Sequence, residues 1–208
     1  MKHKFIFDVD GTLTPSRGQI DPEFKSWFND FCQANDVYLV TGSDRSKTIE
    51  QIGEDTYNLC KRVYNCSGSD VYEGSASVKT SEWKPPVELY HIMNGWLQSS
   101  RFDTRTGNHI EERPGTVNFS IVGRNATSEQ RSRYVEWDVK TRERETVAYM
   151  INSAFDNITA TIGGETGIDI YYTGHDKSQI LCDFDKNIPI YFFGDKCKPG
   201  GNDFPLAH

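Results

Sequence analysis

Long apolar runs are missing from this chain, and with them any stretch able to cross a membrane as a helix. The first apolar segment is broken almost at once by Asp8 and Asp10, so it cannot serve as the core of a secretory leader. Positive charge is also in short supply: 23 Lys and Arg face 30 Asp and Glu, a formal net charge of −7. No basic stripe is available to neutralise a nucleic-acid backbone, which argues against nucleic acid as well as membrane as a partner. Cysteine is sparse and unpaired in pattern, with Cys32, Cys60, Cys66, Cys182 and Cys197 scattered and never spaced as C-x-x-C. That excludes a disulfide framework and a structural zinc site, and it fits a reducing, cytoplasmic setting. Internal repeats and low-complexity stretches are absent too. The N-x-[ST] triplets at Asn65, Asn118, Asn125 and Asn157 read as chance matches.

What is present is an ordinary globular composition. With 208 residues, 36% of them hydrophobic, the chain can bury a core as one domain or as a domain with an inserted module. Lys4 to Val9 reads as a buried strand. Asp21-Pro22 offers an N-cap and an N1 proline for a helix with Phe24, Trp27, Phe28 and Phe31 on one face. A strand at 37–40, a helix after Ser43-Asp44 with Ile49 and Ile52 inward, and a strand at 62–65 continue the alternation. Strand and helix in turn imply a parallel sheet with right-handed crossovers.

After about residue 76 the pattern changes. Trp83-Lys84-Pro85-Pro86 breaks the chain, and a helix follows with Leu89, Ile92, Met93 and Trp96. His109 to Arg113 and Thr116 to Arg124, joined by Pro114-Gly115, make a hairpin whose second arm has an apolar and a mostly polar face. One long helical region at about 128–155 leads to strands at 158–162 and 168–172. This middle module is α+β with antiparallel pairing. The apolar run at 188–193 then reads as a central strand of the first domain's parallel sheet.

The chemistry gathers at strand ends. Asp8-Val9-Asp10-Gly11-Thr12-Leu13-Thr14 puts two carboxylates beyond the first strand, where open α/β sheets build their sites, and alternation points both one way. Thr41-Gly42-Ser43-Asp44 ends the second strand with groups suited to phosphate oxygens. Phe193-Gly194-Asp195 and Gly200-Gly201-Asn202-Asp203 add two more carboxylates late in the chain. Asp8, Asp195 and Asp203, with a main-chain carbonyl at Asp10, would satisfy the hard oxygen preference of Mg²⁺. Lys177, where the chain returns to the first domain, offers a charge to hold a phosphoryl group.

In this order the segments resemble the motif set of the haloacid dehalogenase (HAD) superfamily. Within it the chain resembles eukaryotic-type phosphomannomutases at 7–17, at Gly42-Ser43-Asp44-Arg45-Ser46-Lys47, at Gly123-Arg124, at Gly163-Gly164 with Asp169, and from Phe192 to Asp203. The resemblance implies an α/β fold: a Rossmann-like parallel-sheet core (1–76 and 174–208) with an inserted α+β cap (77–173), antiparallel sheet plus helices. It implies that Asp8 is a nucleophile forming an aspartyl phosphate and that Asp10 is the general acid/base. By the same likeness Thr41 and Lys177 hold phosphoryl oxygens, and Asp8, Asp10, Asp195 and Asp203 hold Mg²⁺. Arg17, Arg113, Asn118, Ser120, Arg124 and Asp169 correspond to substrate contacts, and the cap closes over a phosphorylated sugar, mannose or glucose phosphate.

The chain departs from the pattern in three places. Asn65-Cys66-Ser67-Gly68-Ser69-Asp70 stands where the family has Glu-Asn-Gly, and Gly167 stands for a serine of the last cap strand. The chain also ends five residues after Asp203, where the family continues with a strand and a helix; the expectation is a bare sheet edge in a naturally trimmed enzyme or a truncated chain, or an edge covered by a partner subunit, as in a homodimer. Three functions stay open at this level: a sugar-phosphate mutase converting mannose 6-phosphate to mannose 1-phosphate, a phosphatase with the same nucleophile, and a non-catalytic sugar-phosphate-binding protein.

Overall fold

The structure, a computed structural model, describes residues 3–16 and 18–208. In chain order the elements are β1 (Lys4–Phe7), α1 (Pro22–Ala34), β2 (Asp36–Val40), α2 (Arg45–Ile52), α3 (Glu54–Leu59), β3 (Arg62–Asn65), β4 (Asp70–Glu73), β5 (Ala76–Thr80), α4 (Val87–Ser99), β6 (Ile110–Arg113), β7 (Thr116–Phe119), α5 (Ser128–Thr141), α6 (Glu143–Ala154), β8 (Ile158–Gly163), β9 (Gly167–Tyr172), β10 (Ile190–Phe193) and α7 (Phe204–Ala207). Short 3-10 segments cover Cys66–Gly68 and Lys177–Asp183. Two compact units result, Met1–Ser81 with Gly174–His208 and Glu82–Thr173.

The first unit is built on a six-stranded sheet in the order β10-β1-β2-β3-β4-β5. β10, β1, β2 and β3 run parallel, as the strand-helix alternation requires. The sheet is nevertheless mixed, because β4 and β5 add an antiparallel hairpin to β3 and carry it past residue 76. β5 is exposed throughout and lacks the apolar alternation that would mark it as a strand. Side chains from β1, β2, α1, α2 and α3 form the core on one side, with Phe28, Val37, Leu39, Ile52 and Tyr57 fully buried. Asp21 caps α1 by accepting from the Glu23 and Phe24 amides, with Pro22 in its first turn.

Two readings of this unit need correction. Trp27 is 54% exposed and Phe24 36%, so only part of the aromatic face of α1 is core. β10 is an edge strand and not a central one. Its apolar run reflects two different faces: Ile190 and Phe192 pack toward the core, while Tyr191 and Phe193 stack on Phe5 and Phe7 at 5.5 and 4.6 Å and stay half exposed.

The second unit has an antiparallel sheet in the order β6-β7-β9-β8. Its own core joins Leu89 and Met93 of α4, Tyr134 of α5, Val147 and Ile151 of α6, and the inner residues of β7, β8 and β9. The helical region 128–155 is two helices, since Arg142 adopts a left-handed conformation (φ 54°) between α5 and α6. Thr127 and Gln130 form a capping box at the start of α5. The second hairpin arm also differs from its alternating pattern: Thr116 to Phe119 are all buried, because β7 is an inner strand. No helix of the described residues is long and apolar enough to cross a membrane.

Candidate active site

The parallel strands of the first unit deliver the acidic residues to one place. Asp8 follows β1, and its amide donates to the Phe193 carbonyl at 2.9 Å, which ties it to the end of β10. Asp195 lies two residues beyond that strand. Gly11 sits at φ 84°, and a Cβ there would fall 2.4 Å from Asp195 Oδ2, so only glycine lets the acid approach the turn. Gly194 is needed in the same way, since its Cβ would lie 2.7 Å from Asp203 Oδ2. Asp203 is buried, and its Oδ2 accepts from the Lys196 amide at 3.0 Å.

Lys177 opens the 3-10 helix capped by Asp176, whose carboxylate accepts from the Ser178 amide. Its ammonium is buried and donates to Asp8 Oδ1 at 2.5 Å and to Asp203 Oδ1 at 2.6 Å. Burial works against the charge of Lys177, but the carboxylates of Asp8 and Asp203 together outweigh it and raise its pKa. Burial pushes the Asp8 carboxyl up to about 6, opposed by Lys177 and reinforced by Asp203. One ammonium thus faces more carboxylate than it can neutralise.

Asp8, Asp195 and Asp203 each offer an oxygen, and these oxygens lie within 4.8 Å of one another. An all-carboxylate donor set with surplus negative charge fits a hard divalent cation such as Mg²⁺. The side chain of Asp10 is outside that trio. It has partners of its own: Ser43 Oγ at 3.2 Å from Oδ2 and Gln51 Nε2 at 2.9 Å from Oδ1. The chain turns at Gly11, and Asp8 and Asp10 therefore serve separate clusters.

Thr41 is fully buried after β2, with its amide on the Tyr64 carbonyl and its hydroxyl oxygen accepting from the Ser43 amide at 3.1 Å. Its hydroxyl hydrogen is left to donate to an anionic oxygen. Cys66 and Ser67, at φ 48° and 57°, donate their amides to the Ser43 and Thr41 carbonyls and so brace this loop from the end of β3. The departure at 65–70 is thus a structural support of the Thr41 loop.

In the second unit a polar chain runs across β6, β7 and β9. Glu111 Oε2 lies 2.5 Å from Arg113 Nη2 and 2.9 Å from Arg124 Nε. Arg124 reaches Asn118 Oδ1 at 3.4 Å, and Asn118 donates to Asp169 Oδ1 at 2.6 Å. Asn118 and Asp169 are register partners of β7 and β9. Ser120 stands apart from this chain: it lies beyond the end of β7, its amide is on the His109 carbonyl and its hydroxyl accepts from the Gly123 amide at 3.3 Å. Gly167, the serine of the family pattern, is close-packed, with Asn118 Nδ2 2.6 Å from where its Cβ would sit. Arg17 lies outside the described residues.

Two participants escaped sequence reasoning. Gln51 sits with Thr48 and Ile52 in the buried stripe of α2, where a polar residue at a core position was the available signal. Glu111 shares a strand face with Arg113 two residues on, a period-two signal obscured by its charge.

Comparison with known proteins bears on family and fold. The family model described as eukaryotic phosphomannomutase matches residues 24–207. A phosphomannomutase of Spinacia oleracea is 31% identical over 97% of this chain and 84% of its own length. Among solved structures, a haloacid dehalogenase-like hydrolase from Bacteroides thetaiotaomicron aligns with a TM-score of 0.63 at 12% identity, covering 98% of this chain and 84% of that one. An IMP-bound, N-terminally truncated IMP-nucleotidase of Plasmodium falciparum aligns with a TM-score of 0.61 at 15% identity, over 100% of this chain and 62% of its own. The structural likenesses bear on the fold, an α/β HAD core with an α+β cap. The match along nearly the whole chain bears on descent: this chain belongs to the eukaryotic phosphomannomutase family of phosphotransfer enzymes.

Proposed function

We propose that this chain transfers a phosphoryl group on a hexose phosphate through an aspartyl phosphate at Asp8, and that the reaction interconverts mannose 6-phosphate and mannose 1-phosphate. The observation that carries the reading is the buried cluster of Asp8, Lys177 and Asp203 with Asp195 alongside. Lys177 occupies Asp8 Oδ1, so Oδ2 is the oxygen that attacks phosphorus. The Lys177 ammonium and the Thr41 hydroxyl supply donors for the phosphoryl oxygens. Asp8, Asp195 and Asp203 would hold Mg²⁺, which when bound offsets charge on those oxygens. Asp10 gives a proton to the departing sugar oxygen and takes one from the sugar hydroxyl that later accepts the phosphoryl group. Arg113 and Arg124, with Asn118 and Asp169, supply charge and hydrogen bonds for the substrate's second phosphate and sugar, Glu111 being displaced or shared when the anion binds.

The deciding assay supplies mannose 1-phosphate, a hexose bisphosphate activator and Mg²⁺. Isomerised sugar phosphate is expected; inorganic phosphate without isomerised sugar would make the chain a phosphatase. Asp8→Asn is expected to lower turnover by at least about 10³-fold with the fold intact, a loss on the scale of removing a nucleophile. Retained turnover in that variant would remove Asp8 from the mechanism.

A further inference from the structure

Gln51 has no task in the scheme above, yet it is 1% exposed and lies beside the acid/base. Its amide nitrogen donates twice, to Asp10 Oδ1 at 2.9 Å and to Thr14 Oγ1 at 3.2 Å. The Thr14 hydroxyl spends its hydrogen on the Val9 carbonyl at 3.3 Å, so it can only accept from the amide. In this orientation the amide N–H groups meet an acceptor on each side. Its own oxygen is buried with no hydrogen-bond partner among the described residues, a cost borne for the two N–H bonds.

The second oxygen of Asp10 has a different neighbour. Oδ2 meets the Ser43 hydroxyl at 3.2 Å. An amide N–H only donates, whereas a hydroxyl donates or accepts. A proton placed on Oδ1 would confront an N–H that cannot receive it, and a proton on Oδ2 would find an oxygen.

Building on the phosphoryl-transfer reading, we propose that Gln51 is a positioning residue that confines proton transfer by Asp10 to Oδ2, with Ser43 turning between donor and acceptor as that oxygen loses and gains its proton. In the first half-reaction the bond from Asp8 to phosphorus forms as the bond from phosphorus to the substrate oxygen breaks. That oxygen leaves with the Oδ2 proton, and Asp10 is left a carboxylate that keeps Gln51 and Ser43 among its hydrogen-bond partners. In the second half-reaction the acceptor hydroxyl returns a proton to Oδ2 while its oxygen bonds phosphorus and the bond from Asp8 breaks. Electron pairs and protons balance without a further reactant.

The test uses the full chain with Mg²⁺ and two substrates. A hexose 6-phosphate releases a poor leaving group that needs a proton, and 4-nitrophenyl phosphate releases one that does not. Gln51→Met, similar in length and without polar atoms, is expected to lower kcat on the hexose phosphate by about 30-fold or more, within the range of general acid catalysis, while kcat on the aryl phosphate stays within about threefold. KM for both is expected to hold within about twofold, since positioning of Asp10 acts on the transition state. Equal losses on the two substrates, an effect confined to KM, or an unchanged hexose rate would each overturn the proposal. Should Gln51→Met not fold, Ser43→Ala decides: removing the acceptor beside Oδ2 must give the same selective loss, and equal losses would refute it. Asp8→Asn and Asp10→Asn run alongside. If Asp8→Asn keeps its turnover, the phosphoryl-transfer reading itself fails. If that variant is inactive and Asp10→Asn is selective for leaving group while Gln51→Met is not, only the role of Gln51 falls.

Discussion

Asp8 carries its proton to about pH 6 in the folded chain without metal, against 3.8 for a free aspartate, because burial costs its charge more than Lys177 returns. A carboxyl with a raised folded pKa binds protons more tightly in the native state. Between these two values the native state holds more protons than the unfolded one, so this contribution to stability is present at low pH and is lost as pH rises from about 4 to about 6. Metal-free urea unfolding should show it as a difference: the stability of the wild type relative to Asp8→Asn falls by up to about 3 kcal/mol across that window. A difference that stays level with pH would count against the burial of Asp8. At this scale much of the site was legible. Asp8 and Asp195 stand just past strand ends, Asp203 at the start of α7 and Lys177 at the return of the chain, and it is their order as a set that made them legible. Partners were not legible: that Glu111 joins two arginines, or that Ser120 turns to its own loop, depends on side-chain directions that a pattern of residue types does not contain.

The break between α5 and α6 shows what elements need from one another. Arg144 on α6 donates to Asp138 of α5 from its amide and its Nε, both at 2.8 Å, and its Nη1 reaches the Gly164 and Gly167 carbonyls at 3.3 and 3.4 Å. One side chain therefore joins both helices to the turn between β8 and β9, the turn that leads into Asp169. Both members of the ion pair are nearly nine-tenths buried. Arg144→Met should destabilise the second unit by about 3 kcal/mol, as expected when a buried charge loses its partner, and Asp138→Leu in the same chain should recover part of the loss. Denaturant unfolding of the single and double variants measures this; additive losses would show that the pair is not coupled. The helical region expected at about 128–155 is helical and is divided at Arg142. Arg142 is left-handed between the two helices, and Val147 and Ile151 of α6 then join the core with the inner residues of β8 and β9.

At the scale of the molecule, the two units have separate cores, so the chain is not expected to unfold in a single step. Mg²⁺ bound by Asp8, Asp195 and Asp203 would stabilise the first unit alone, by about 2.7 kcal/mol at a hundredfold excess over Kd. Calorimetry should resolve one transition that moves up with Mg²⁺ and one that does not. Trp27 reports on the first unit, and Trp83, Trp96 and Trp137 on the second. Asp195→Asn should remove most of the shift; a shift of both transitions, or one that survives in this variant, would place the ion elsewhere.

The amino-acid sequence by itself determined the α/β core, the existence of the inserted module, and which residues carry charge and hydroxyl at the strand ends, because hydrophobic period, capping residues and motif order are local properties of the chain. Tertiary structure alone decided that β10 lies at the sheet edge, that β5 joins the sheet, that Asp8 and Asp10 answer to different partners, and that Gln51 reaches Asp10. Each of these rests on contacts between segments distant in sequence. The free energy of such a contact comes from burial and hydrogen-bond satisfaction in three dimensions, which no local pattern encodes.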